Sequence, residues 1–303
     1  MIMITGGAYQ GKKNYAVNYY GISESDMING KNCNINDLIN AKCVYNFQYL
    51  TKKYSIDDIK DILNKNPDII IIADIIGEGI VPVEKSERIW RENTGRLCCW
   101  VAEKSIAVIR MSCGIAQIIK AMTVVFIRHG KTAGNLEKRY IGRTDEDLCV
   151  EGMAELSGKD YSECDILVSS PMKRCIRTAE LIYPDKKIII NKNLRETDFG
   201  DFEGKNYSEL CENPDYIKWI DGIAEPPNGE SSKIFKKRCC NAFEDIIKKY
   251  NRSVAFVVHG GVIMAVLEKY GFPKKSFYDY QVLNGGGYIT DFDGKYLKIR
   301  ESI

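Results

Sequence analysis

Thr123-Val124-Val125-Phe126-Ile127-Arg128-His129-Gly130-Lys131-Thr132-Ala133-Gly134-Asn135 is the stretch on which the fold turns. Its first five residues form a short, β-branched, apolar run, the pattern of a strand covered on both faces of a parallel sheet. Within one residue the chain changes to a guanidinium, an imidazole and a glycine. There are only two histidines, and the second, His259, follows a similar run, Ser253-Val254-Ala255-Phe256-Val257-Val258, and again precedes glycine. Parallel strands that both end in His-Gly deliver two imidazoles to the carboxyl edge of a sheet, where open α/β folds bind ligands. A single strand-end histidine would be read as a cap on a backbone carbonyl. Two in matching contexts, one with an arginine before it, predict a site.

The 303 residues are enough for two domains, and 45% apolar with 28% charged residues is an ordinary globular balance. A formal net charge of +2 gives no bulk attraction for nucleic acid or for a membrane surface, so any anion site must be a local cluster. No apolar run is long enough to span a bilayer. The start, Met1-Ile2-Met3-Ile4-Thr5-Gly6, lacks a basic segment and becomes glycine-rich at once, so it does not read as a signal peptide. The eleven cysteines are scattered, with no C-x-x-C and no spare histidine for a zinc site. They read as reduced thiols of a cytoplasmic protein, and no metal is expected.

Residues 1–120 read as one α/β unit. A strand at Met1–Thr5 leads into Gly6-Gly7-Ala8-Tyr9-Gln10-Gly11-Lys12-Lys13 and a helix to about Tyr20. Strand, glycine loop, lysine and helix is the P-loop arrangement, in which Gly6, Gly11 and Lys12 would cradle the phosphates of a nucleotide such as GTP or ATP. The next position should be Ser or Thr to hold Mg²⁺, and it is Lys13, so a glycine-rich turn without a ligand is the competing reading. Further strands are expected at 68–74 and 106–111, with a helix from about Glu84 to Lys104. Residues 21–66 are polar, with weak helical signals at Ile35–Ile39 and Ile56–Leu63.

The second half, 121–303, alternates strands and helices. Strands are expected at 123–127, 165–168, 187–190, 253–258, 287–291 and 295–299. Helices are expected at 150–157, 172–183, 232–250 and 261–270, with two shorter ones across 205–220. This is the pattern of a three-layer α/β/α sandwich on a mostly parallel sheet.

Both halves resemble known families. In the first, Gly6-Gly7 with Gly11-Lys12, Gly77-x-Gly79-Ile80-Val81-Pro82, and Arg88, Arg91, Gly95-Arg96 resemble the bifunctional adenosylcobinamide kinase and adenosylcobinamide-phosphate guanylyltransferase family. The departures are at Lys13, at Ile75 where that family has an acid, at Cys98 where it has asparagine, and in the lack of any histidine before His129 to be guanylylated. They imply a degenerate domain, with nucleotide or cobinamide binding without turnover, or a structural role, favoured over kinase activity. In the second half, Arg128-His129-Gly130-x-Thr132-x-x-Asn135 resembles the signature of the histidine phosphatase superfamily, which includes the phosphoglycerate mutases. Ser169-Ser170-Pro171-Met172-Lys173-Arg174, Leu194-Arg195-Glu196 with Phe199-Gly200 and Glu203-Gly204, and His259-Gly260-Gly261 continue it in order.

That resemblance implies a catalytic His129 as nucleophile and Glu196 as proton donor. Arg128, Arg174, His259 and Asn135 would bind phosphate, and no cofactor is needed. The chemistry suits these types: a neutral imidazole is a good nucleophile near pH 7, and guanidinium forks match phosphoryl oxygens. The expected partner is a small-molecule phosphomonoester. The block Pro226-Pro227-Asn228-Gly229-Glu230-Ser231 is similar to that of α-ribazole phosphatases, which implies dephosphorylation of α-ribazole 5′-phosphate or adenosylcobalamin 5′-phosphate. A broad-specificity phosphatase, a mutase, and a nucleotide- or corrinoid-binding module with residual kinase activity are the alternatives.

Overall fold

The computed structural model describes residues 1–303 as two compact units, Met1–Met122 with Phe292–Lys295, and Thr123–Asp291 with Tyr296–Ile303. No helix is long and apolar enough to cross a membrane.

In chain order the first unit contains β1 (Ile2–Gly6), α1 (Lys12–Tyr20), β2 (Met27–Asn29), β3 (Cys43–Tyr45), α2 (Ile56–Asn64), β4 (Ile70–Asp74), α3 (Lys85–Lys104), β5 (Ala107–Ser112) and β6 (Ile115–Lys120). The six strands form one sheet in the order β2-β3-β4-β1-β5-β6. All neighbours are parallel except β5 and β6. Alternation along the strands sorts the core. Ile2, Ile4, Ile70 and Ile72 pack toward Ala16 of α1, while Met3, Ile71 and Ala73 pack toward Leu63 of α2 and Leu97 and Val101 of α3. Helices therefore cover both faces. Because β1 hands the chain to α1 on one face and β4 hands it to α3 on the other, a crevice opens between their carboxyl ends.

Three strands here were not expected from sequence. β2 and β3 have three residues each, too few for a period-2 signal to emerge from polar surroundings. β6 alternates the wrong way for a core strand: Ile115 and Ile119 are exposed, because it is the antiparallel edge of the sheet.

The second unit contains β7 (Met122–Arg128), α4 (Ala133–Leu136), α5 (Val150–Leu156), β8 (Ile166–Ser169), α6 (Lys173–Ile182), β9 (Ile188–Ile190), α7 (Tyr207–Leu210), α8 (Pro214–Ile220), α9 (Ser232–Tyr250), β10 (Val254–Val258), α10 (Gly260–Tyr270), β11 (Gly271–Phe272), β12 (Gly287–Phe292) and β13 (Leu297–Ser302). Its sheet runs β11-β13-β12-β7-β10-β8-β9, and β7, β10, β8 and β9 are parallel to one another. Val125, Ile127, Ala255 and Val257 face Cys175 and Ala179 of α6. The alternate residues Phe126 and Phe256 stack at 5.4 Å and both meet Phe243 of α9. Here too the sheet is buried between helices on both faces.

Candidate active site

The register of β7 and β10 builds the centre. Val258 pairs with Arg128, so the next residues, His259 and His129, leave the sheet side by side. The His129 N–H donates to the Val258 carbonyl at 2.9 Å, and the two rings meet edge to face, 5.2 Å between centroids. Both are buried, at 4% and 1% exposure.

Nδ1 of His129 lies 2.7 Å from the carbonyl oxygen of its neighbour Gly130. A carbonyl only accepts, so Nδ1 carries the proton and Nε2 keeps its lone pair. Burial, and then the charges of Arg174 and Arg128, hold the His129 pKa well below 6.5, opposed by the Gly130 carbonyl. His259 is lowered likewise, by burial first and then by Arg174. Its Nε2 is 2.8 Å from Ser170 Oγ and 3.5 Å from Cys175 Sγ, and burial lifts that thiol to about 12, keeping it protonated.

Two arginines enclose the histidines. Arg174, on α6, has no solvent exposure at all. Its terminal nitrogens donate to the carbonyls of Thr144, Ile141 and Gly142 at 2.7, 3.3 and 3.0 Å. Arg128, at the end of β7, donates to the Val282 carbonyl at 2.7 Å. In both, the Nε–H is buried and has no partner. Two orphaned guanidinium donors beside two neutral imidazoles are a costly arrangement that an anion would relieve.

Glu196 stands at the rim. One carboxylate oxygen accepts the Thr197 N–H at 2.9 Å, and the other accepts the Gly261 N–H of α10 at 3.0 Å. Its loop is pinned by Arg238 of α9, which donates to the carbonyls of Asn193, Arg195 and Glu196 and forks onto Glu230 at 2.7 Å through both bonds. Asn135 lies on α4, and its Oδ1 is engaged by the Thr132 N–H and by Asn284. Only its amide N–H₂ remains for an anion.

His129, His259, Arg128, Arg174 and Glu196 thus converge on one crevice, with Asn135 behind His129. Sequence reasoning missed the supporting groups. Asn284 donates to the carbonyl of His129 and to Asn135, Thr178 accepts the Gly130 N–H, and Arg238 fixes the Glu196 loop. Asn284 opens the run Asn284-Gly285-Gly286-Gly287, and nothing in that run announces a contact to His129.

Gly6, Gly11 and Lys12 lie in the other unit, at the crevice between β1 and β4. Gly11 precedes α1 with φ 83°, a left-handed conformation glycine adopts without strain. Lys12 does not reach outward. It is 6% exposed, and its ammonium bonds the carbonyls of Gly6 (3.2 Å) and Gly7 and pairs with Asp74 at 2.7 Å. Asp74 in turn is held by Gln48. Lys13 lies over the Tyr45 ring at 4.2 Å, on the wall of the same cavity.

Comparison with known proteins places this arrangement. A phosphatase from Bacillus subtilis, PhoE, is 35% identical over 152 residues, 48% of this chain and 75% of its own. The adenosylcobalamin/alpha-ribazole phosphatase of Escherichia coli is 24% identical over 194 residues, 59% of this chain and 94% of its own. The crystal structure of the alpha-ribazole phosphatase from Shigella flexneri superposes with a TM-score of 0.53 at 26% identity, covering 59% of this chain and 95% of that one. Residues 124–302 match the family model of the histidine phosphatase superfamily, branch 1, and the chain belongs to that superfamily as a phosphatase enzyme.

Proposed function

We propose that the second unit hydrolyses a phosphomonoester through a phosphohistidine on His129, with α-ribazole 5′-phosphate, or adenosylcobalamin 5′-phosphate, as the substrate in cobalamin nucleotide-loop assembly. The observation that carries the mechanism is the Gly130 carbonyl on Nδ1 of His129, which leaves Nε2 as an unprotonated nucleophile between two arginines. Nε2 attacks phosphorus as the ester P–O bond breaks, and Glu196, as general acid, gives a proton to the departing oxygen. Water then attacks the phosphohistidine, the P–N bond breaks, and the Glu196 carboxylate takes the water proton. Arg128, Arg174, His259 and the Asn135 amide hold the three equatorial oxygens, where charge gathers in a loose transition state. The two arginine Nε–H groups gain the acceptors they lack.

The substrate rests on the Pro226–Ser231 block and on relatives that carry the α-ribazole phosphatase name. Phosphate release from α-ribazole 5′-phosphate, 3-phosphoglycerate and p-nitrophenyl phosphate, with His129→Ala as control, tests both levels. A strong preference for α-ribazole 5′-phosphate, lost in the variant, is expected. Equal rates on all three would remove the substrate assignment, in favour of a broad phosphatase. Undiminished activity in the variant would remove the mechanism.

For residues 1–120 the reading is a degenerate adenosylcobinamide kinase/guanylyltransferase-like domain joined to a phosphatase domain at 121–303. Its support is Lys12, whose donors are all consumed by Gly6, Gly7 and Asp74. Binding of GTP or cobinamide without turnover is the expected behaviour. Formation of a phosphorylated or guanylylated product would sink it.

A further inference from the structure

The centre opens into a cleft of about 590 Å³ that reaches from Arg128, Glu196 and Gly261 out to Trp219 and Tyr278. Rings form much of its wall, among them Tyr140, Phe199, Trp219, Phe235 and Tyr278. Trp219 stands perpendicular to Tyr140 at 5.3 Å and to Phe199 at 6.0 Å, and Tyr278 stands perpendicular to Phe277 at 5.1 Å. Tyr278 is 73% exposed, a large ring at the mouth with a face free to stack. The charges in the lining are equally one-sided: Arg128 is the sole cation, against Glu196, Glu225 and Glu230. Glu230 is neutralised by Arg238, whereas Glu225 accepts only the Ser232 N–H.

Resting on the phosphatase reading above, we propose that this cleft selects leaving groups that end in a flat, uncharged aromatic ring on a hydroxylated arm. Nucleoside 5′-monophosphates are then substrates as a class, not one ribotide alone. Rings take any base because every base has a π-face. Carboxylates accept from ribose hydroxyls, which only need an acceptor. A phosphorylated hydroxy acid or amino acid would bring its own carboxylate beside Glu225 with no spare cation in the lining to meet it. Trp219, Tyr278 and Glu225 are the specificity-determining residues.

The test is kcat/KM of the full chain for adenosine 5′-monophosphate, ribose 5-phosphate, 3-phosphoglycerate and phosphoserine. Adenosine 5′-monophosphate should exceed ribose 5-phosphate by about tenfold or more, the worth of one stacked base, and both acids should fall lower still. Trp219→Ala and Tyr278→Ala should each shrink the adenosine-to-ribose ratio, mainly through KM. Glu225→Gln should raise 3-phosphoglycerate turnover relative to adenosine 5′-monophosphate. Tyr278 is at the surface, so its variant remains informative even if Trp219→Ala misfolds. The acids or ribose 5-phosphate turning over as fast as adenosine 5′-monophosphate would overturn the inference and leave the phosphatase reading intact. No phosphate release from any ester would overturn the phosphatase reading, and the inference with it.

Discussion

The carboxylate of Glu196 and the backbone of Gly261 fit so closely that no side chain can come between them. The Gly261 N–H donates to the carboxylate at 3.0 Å, and a Cβ on Gly261 would stand 2.3 Å from the other oxygen. Gly261→Ala should therefore push the flexible Glu196 side chain aside while the backbone holds. We expect kcat to fall about 100-fold, within the usual worth of a positioned acid, with the melting midpoint moved by less than about 4 °C. Steady-state kinetics beside a thermal melt would check it; an unaffected kcat would show that Glu196 is not the proton donor.

The buried histidines make stability depend on pH in a defined direction. His129 and His259 have folded pKa values well below their ordinary 6.5, from burial first and from Arg174 next. Below pH 6.5 the unfolded chain binds more protons than the folded one, so stability is present above that pH and is lost as pH falls. The slope is about 1.4 kcal/mol per pH unit for each histidine. Urea denaturation between pH 7 and 5 should show the loss, and His259→Gln should reduce its slope.

Arg174→Lys should be a poor exchange. The guanidinium holds three carbonyls through its terminal nitrogens and keeps Nε free, a division one ammonium cannot reproduce. A loss of about 10²–10³-fold in kcat is expected, measured as phosphate release under saturating substrate.

Two glycines of one loop should respond differently to alanine. Gly200 has φ 54°, and a Cβ there would lie 2.0 Å from the Pro227 carbonyl oxygen; Gly204 has φ 75° with nothing within 4 Å. Gly204→Ala should cost only the left-handed strain, about 1–2 kcal/mol. Gly200→Ala adds a backbone collision and should cost more than about 3 kcal/mol. Denaturant midpoints would rank them.

In the first unit, Lys12→Ala should destabilise by about 1–3 kcal/mol, because it strips the partner from Asp74, which keeps some solvent. Lys13→Ala loses only its contact with Tyr45 and should cost under about 1 kcal/mol. Equal effects on urea unfolding would contradict an internal role for Lys12.

Much of the second unit was legible because strands of a covered sheet write themselves as apolar runs. The runs before His129 and His259 predict β7 and β10, and the alternation with helices predicts the layers. The six-residue edge strand β6 and the three-residue β2 and β3 were not legible, since their residues are held by neighbouring strands rather than by their own pattern.

The sequence by itself determined which groups the centre contains: imidazoles, guanidinium groups and a carboxylate, each placed at a strand end, on a helix or in a glycine-bounded loop. Tertiary structure alone decided their states. The pairing of Val258 with Arg128 sets the two rings 5.2 Å apart, and burial keeps both neutral. It also decided that Lys12 turns inward to Asp74 and that Arg238 fastens the Glu196 loop. The reason is physical: residue type fixes what a group can donate, accept or carry, whereas its protonation and its partners depend on atoms that only the folded chain brings within reach.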